Sequence, residues 1–166
     1  MAEKEEIVEE KFEYSGVFHF TEFYSFAHKW LKNEDYGIVE ERYNENVSGN
    51  SRSVYIEWKA SKQISDYFKI ELKMKIDIRE LVDVEVEMDG KKKKMHKGKI
   101  SMGIKGNLIR DPESKWDGSA LNRFLREIYN KYVIPSRIDG VKGKIMADVK
   151  DFKEELKAYL ELLGKR

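Results

Sequence analysis

Apolar and polar side chains alternate through most of the chain, and a period of two predicts strands. From Lys11 to Phe20, the residues Phe12, Tyr14, Gly16, Phe18 and Phe20 fall on one face, with Lys11, Glu13, Ser15 and His19 opposite. The period then changes. Thr21 is placed to cap a helix over 21–33 that stops before Gly37, and its apolar stripe is Phe23, Phe26, Ala27, Trp30 and Leu31. Val39, Tyr43 and Val47 predict a half-exposed second strand, which ends at the turn Ser48-Gly49-Asn50-Ser51. Val54, Ile56, Trp58 and Ala60 form the inner face of a third strand. The fourth has the clearest pattern: Phe68, Ile70, Leu72, Met74, Ile76 and Ile78 point one way, and Lys69, Glu71, Lys73, Lys75, Asp77 and Arg79 the other.

Asp89-Gly90 follows a Val-Glu-Val-Glu-Met run and precedes four lysines, the signal of a two-residue hairpin turn. That turn sets Glu87 opposite Lys92 and Glu85 opposite Lys94, a favourable cross-strand pairing. Extended back along the fourth strand, however, the same register points Ile100, Met102, Ile104 and Leu108 to the wrong face. A shift of one residue restores the phase, and Gly98 is where a bulge supplies it. Residues 83–95 therefore read as a protruding charged hairpin, and about 67–80 and 99–110 pair in the main sheet.

Beyond Asp111-Pro112 the period becomes helical. Leu121, Phe124, Leu125, Ile128 and Tyr132 share a face that ends before Pro135. Ser136 and Asp139 have the spacing of a capping box. A long stripe follows, through Ile138, Val141, Ile145, Val149, Phe152, Leu156, Tyr159 or Leu160, and Leu163, enough for a helix of ~40 Å. The predicted fold is α+β: a curved antiparallel sheet of about six strands packed against a long C-terminal helix, with one helix inserted after the first strand. The 166 residues suit a single domain, with residues 1–8 as a flexible acidic tail.

Composition narrows the chemistry. The absence of cysteine excludes disulfides, thiolate metal sites and cysteine nucleophiles. No apolar run approaches the ~20 residues of a membrane span, and the acidic N-terminus is unlike a signal peptide. The cytoplasm is the expected compartment. Abundant lysine and glutamate fit the composition of thermophile proteins. The net charge of +1 hides an asymmetry: residues 1–50 hold twelve acids and five bases, whereas 90–110 hold eight bases and no acid. Lys91, Lys92, Lys93, Lys94, Lys97 and Lys99 in that block read either as solvated surface or as an anion-binding patch.

No dinucleotide-binding glycine motif, P-loop or nucleophile elbow is present, so no cofactor and no catalytic residue is assigned. His19, His28 and His96 lack metal-ligand spacing, and His19 and His28, which bracket Glu22 at a strand-to-helix junction, read as surface.

The element order resembles the helix-grip fold of START-type lipid-transfer domains and their polyketide-cyclase relatives, although these have two short helices after the first strand. The run Trp58-Lys-Ala-Ser-Lys-Gln-Ile-Ser-Asp-Tyr-Phe-Lys69 is separately similar to a segment of an archaeal protein family that brings no function with it. The helix-grip resemblance implies an apolar cavity between sheet and helix. Trp58, Phe68, Met74, Met102 and Phe152 are the residues expected either to fill the core or to line such a pocket.

Three functions follow as expectations. The first is non-catalytic binding of a small apolar or amphipathic molecule. The second is association with nucleic acid or the ribosome through the basic hairpin and the outer sheet face, where Lys69, Lys73, Lys75, Arg79, Lys99 and Lys105 stand against Glu71 and Asp77, with Tyr55 and Tyr67 as the aromatic candidates for base stacking. The third is a protein-interaction domain.

Overall fold

The computed structural model describes residues 3–110, 119–128 and 135–164. The elements run β1 (Glu3–Phe18), α1 (Phe20–Asn33), β2 (Gly37–Ser48), β3 (Ser51–Gln63), β4 (Phe68–Met88), β5 (Lys91–Arg110), α2 (Ala120–Ile128) and α3 (Pro135–Gly164). The strands form one open antiparallel sheet in the order β1-β5-β4-β3-β2. The class is α+β as expected, but the sheet has five strands rather than about six. The fourth strand and the hairpin arm that follows it are one continuous strand, β4, and the other arm continues into β5 in the same way.

The first strand also differs. It begins at Glu3, so residues 3–8 are not a tail: they pair with β5 as far as Arg110. Alternation misses this stretch because charged residues sit where apolar ones were sought. Glu5 meets Arg110 at 2.8 Å and Lys142 at 3.2 Å, and Glu10 meets Lys153 at 3.1 Å. These partners come from β5 and α3, far away in sequence.

The register in the centre of the sheet is the one the phase argument requires. Ile78 faces Ile100, Ile76 faces Met102 and Met74 faces Ile104. In the hairpin Glu87 faces Lys92 and Glu85 faces Lys94. The one-residue shift lies between Arg79 and Val82, so the extra residue belongs to β4 and Gly98 is its partner across the ladder. Glu80 takes up the bulge with φ 54°. A Cβ on Gly98 would stand 3.1 Å from the Arg79 carbonyl oxygen and 3.2 Å from the Leu81 Cα, so a larger residue would crowd the backbone of the bulge. Asp89 and Gly90 have φ 52° and 78°, as a type I′ turn demands. Past His96 and Leu81 the two arms pair only with each other, although Met95 at the base is buried.

The inner face of the sheet carries the core. Val54, Ile56, Trp58 and Ala60 of β3, the even residues 68–78 of β4, and Ile100, Met102, Ile104 and Leu108 of β5 are buried against α1 and α3. From α3 come Ile145, Val149, Phe152, Leu156 and Leu160; from α1 come Phe23, Ala27 and Leu31. The two helices meet through stacked Phe26 and Tyr159, with ring centroids 4.5 Å apart, and through Trp30 and Phe152 at 5.0 Å. The Tyr36 hydroxyl donates to buried Asp148 at 2.7 Å, which ties the α1–β2 connection to α3. Burial and that hydrogen bond hold the phenol far above its ordinary range.

Other elements depart from the expectation in detail. His19, not Thr21, caps α1. Ser136 lies inside α3, which starts at Pro135, a position proline favours. On β2, Val39, Tyr43 and Val47 are 60%, 42% and 69% exposed, wetter than half-buried. Tyr132 and the Asp111-Pro112 turn lie outside the described residues. Among the described residues, no helix is long and apolar enough to cross a membrane.

Candidate functional site

The five residues expected at an apolar pocket are all buried in one hydrophobic cluster. Trp58 also donates its indole N–H to Glu40 Oε2 at 3.2 Å, and Tyr24 donates to the same oxygen. Burial and the Glu40 hydrogen bond push Tyr24 up to about 12. Five surface depressions stand out, of 690, 540, 420, 250 and 190 Å³. Trp58, Phe68, Met74 and Phe152 line none of them, and Met102 lines only a shallow hollow on the opposite face.

The linear lysine block is exposed but largely answered by acids. Lys92 and Lys94 face Glu87 and Glu85, Lys93 reaches Glu22 of α1 at 3.7 Å, and Lys99 reaches Glu80 at 3.4 Å. Lys91 and Lys97 face the apolar Met88 and Val82. The unbroken run of positive charge in the sequence is therefore a mixed surface in the fold.

Positive charge gathers elsewhere, on the outer face of the sheet. Strand alternation puts Lys59, Lys73 and Lys105 on that face, and the register makes them neighbours on β3, β4 and β5: Lys59 is opposite Lys73, and Lys73 is opposite Lys105. Lys75 lies one outward position further along β4; in its row Glu57 of β3 stands directly opposite it with Arg42 beyond, and Lys11 lies at the other edge. Like charges directly opposite on adjacent strands destabilise a sheet. Partial relief comes from Glu9, opposite Lys105 on β1, from Glu6, 3.7 Å from Lys105, and from Glu71, 3.8 Å from Lys59. Lys73 and Lys75 form no ion pair among the described residues.

Glu71 anchors one end of this row. It is buried on the outer side, 2.7 Å from Lys4. Burial raises its pKa, but the Lys4 hydrogen bond and the charges of Lys4, Lys59 and Lys73 outweigh that and hold it below the usual value. Next to it Asn107 and Ile109 are buried, as is Tyr67, which removes Tyr67 as a stacking platform. From the lysine row toward the hairpin the face opens: Lys73, Lys75, Arg79, Lys99, Ser101 and Lys105 are exposed.

A second cluster joins residues that the sequence keeps far apart. The pairing of Phe18 with His96 brings His19 beside His96, with ring centroids 5.3 Å apart. Both imidazoles cap α1: His96 Nδ1 accepts the Phe20 N–H at 3.0 Å, and His19 Nδ1 accepts the Glu22 N–H at 3.3 Å. His96 Nε2 lies 3.4 Å from Asp83, which also meets Arg52 at 3.4 Å. The His96 ring, whose Nδ1 accepts an amide proton, stays neutral with its hydrogen on Nε2, which argues for a structural latch rather than a general base. No group of three or more His, Asp or Glu suited to a metal occurs among the described residues.

Burial and the neighbouring His19 lower the His96 pKa beneath its ordinary 6.5; Asp83 opposes this, and Arg52 adds to it. A histidine depressed in the fold binds protons more readily when unfolded. Stability is therefore full above about 6.5 and falls as pH drops through the lower folded value. On acidification from neutral pH, the Phe20 amide is expected to lose hydrogen-exchange protection as α1 frays at its start. His96→Ala should flatten that dependence, and a wild-type profile already flat between neutral pH and 5 would refute the latch.

Comparison with known proteins yields no match: no protein-family model, no curated protein and no solved structure.

Proposed function

We propose that the chain is a nucleic-acid-binding module that holds a single strand across the outer face of its sheet. The row Lys59–Lys73–Lys105 is the observation that carries this reading. Three cations in register on neighbouring strands weaken the free protein, and an apolar ligand within the core makes no use of them. A polyanion laid across the strands relieves their repulsion and releases its own counterions. Exposed Lys75, Arg79 and Lys99 widen the surface along the strand direction. An apolar-ligand function draws less support, because its candidate residues are packed against one another.

The test is binding of a single-stranded oligonucleotide over a range of salt. Each phosphate contact contributes a slope of ~0.7 in log K against log salt, so the three lysines of the row together with Lys75 predict a slope of ~3. Lys73→Glu combined with Lys105→Glu is expected to abolish measurable binding, whereas Lys92→Glu with Lys94→Glu should weaken it only slightly. Loss of binding from the hairpin pair with retention in the face pair would move the site to the hairpin. No salt-dependent binding in the wild type would remove this function.

A further inference from the structure

One row of the outer face is neither basic nor apolar. Glu13, Ser101, Asp77, Tyr55 and Asn44 are register partners in a line across β1, β5, β4, β3 and β2. At ~4.8 Å between strands the line is ~19 Å long. Three of the depressions lie along it, of 690, 420 and 250 Å³, and Asp77 lines all three. The row is two residues, or ~7 Å, from the row of Lys75, and four residues, or ~13 Å, from that of Lys73.

A surface that held phosphate alone would gain nothing from a carboxylate among Lys75, Arg79 and Lys99, because Asp77 repels phosphate. Arg79 directs its contacts at one oxygen: Nε donates a hydrogen bond to Oδ2 at 3.2 Å, and Nη2 forms an ion pair with the same atom at 3.0 Å. Oδ1 accepts no hydrogen bond from a described residue. Its complement is a donor, and the donors of a nucleic acid are carried by its bases and sugars rather than its phosphates. Beside Asp77, Tyr55 donates its hydroxyl to Glu57 at 2.6 Å, which steadies the ring as a face for base stacking.

Resting on the nucleic-acid reading above, we infer that this trough takes the bases of the bound strand and that Asp77 selects bases bearing an exocyclic amine. Cytosine and uracil isolate the effect. They have the same ring size, but cytosine offers its N4 amine to a carboxylate, whereas uracil presents a carbonyl oxygen that the carboxylate repels. The lysine rows hold the phosphates of either strand equally.

The experiment compares RNA oligomers of cytidine and of uridine, equal in length, at one salt concentration. Wild type is expected to bind the cytidine oligomer about tenfold more tightly. Asp77→Ala should equalise the two by weakening the cytidine complex, with uridine affinity kept or raised and the salt slope unchanged. Asp77→Asn, whose amide meets either edge, should also lose the preference. Because Asp77 lies on the solvent side of the sheet, circular dichroism should report an unaltered fold in both variants. Equal affinities in wild type, or a cytidine preference that survives Asp77→Ala, would overturn the assignment and leave the phosphate-binding face standing. Failure of wild type to bind either oligomer is a different result, since it removes the nucleic-acid reading itself.

Discussion

Truncation of Phe152 to alanine is expected to lower folding stability by about 3–5 kcal/mol. The side chain is fully buried on α3, and its ring lies 5.0 Å from that of Trp30 on α1. It therefore holds both helices to the inner face of the sheet, and its removal leaves a cavity bounded by elements that cannot all collapse at once. Ile70→Ala on β4 should cost about 2–5 kcal/mol for the same reason. Lys69→Ala, one residue away on the other face, should stay within about 0.5 kcal/mol. Denaturant midpoints at constant m-value measure all three. A Phe152 that lined an open ligand cavity would make fewer contacts and cost less to truncate, so the size of its effect also bears on the apolar-ligand function. Equal shifts for Ile70→Ala and Lys69→Ala would refute the assignment of faces.

The same contrast explains which parts of the molecule can be read along the chain. β4 is legible because alternation over Phe68–Ile78 is local and one face is wholly buried. The Asp89-Gly90 turn fixes the register of the hairpin, and the conflict of phase with Ile100, Met102 and Ile104 by itself demands a bulge. That argument reaches Gly98 but not the strand with the extra residue, since a shift of phase has no sign. β1 is hidden over residues 3–10 because Glu5 and Glu10 are answered by Arg110, Lys142 and Lys153.

The candidate site is less legible still. A run of lysines is conspicuous in sequence, yet cross-strand pairing sets Glu85 and Glu87 against it. The three lysines that do form a row are 14 and 32 residues apart, and only the register of three strands brings them together. The His19–His96 pair likewise depends on β1 lying beside β5, a choice of neighbours that no periodicity encodes.

Gly106 presents a sharper case, and replacing it is expected to have the second large effect. It sits on the inner face of β5 between Val8 of β1 and the helix above. A Cβ at this position would stand 2.5 Å from Ile145 Cγ2, 3.0 Å from Val149 Cγ2 and 3.0 Å from Val8 Cγ1. The glycine is there for its missing side chain, which lets α3 approach the sheet closely. Ile145 and Val149 are β-branched and held near one rotamer in a helix, so neither can swing aside. Gly106→Ala should then cost about 1–3 kcal/mol by overpacking, and Gly106→Val more. Ile145→Ala alone should cost about 2–5 kcal/mol through the cavity it opens. In the double variant the new methyl group enters the space the isoleucine vacates, so the two losses should fall short of their sum by about 0.5–3 kcal/mol. Chemical denaturation of the four proteins in the cycle gives that coupling directly. Strict additivity would mean that α3 does not rest on Gly106, and that the seating of the helix on β1 and β5 is set by some other contact.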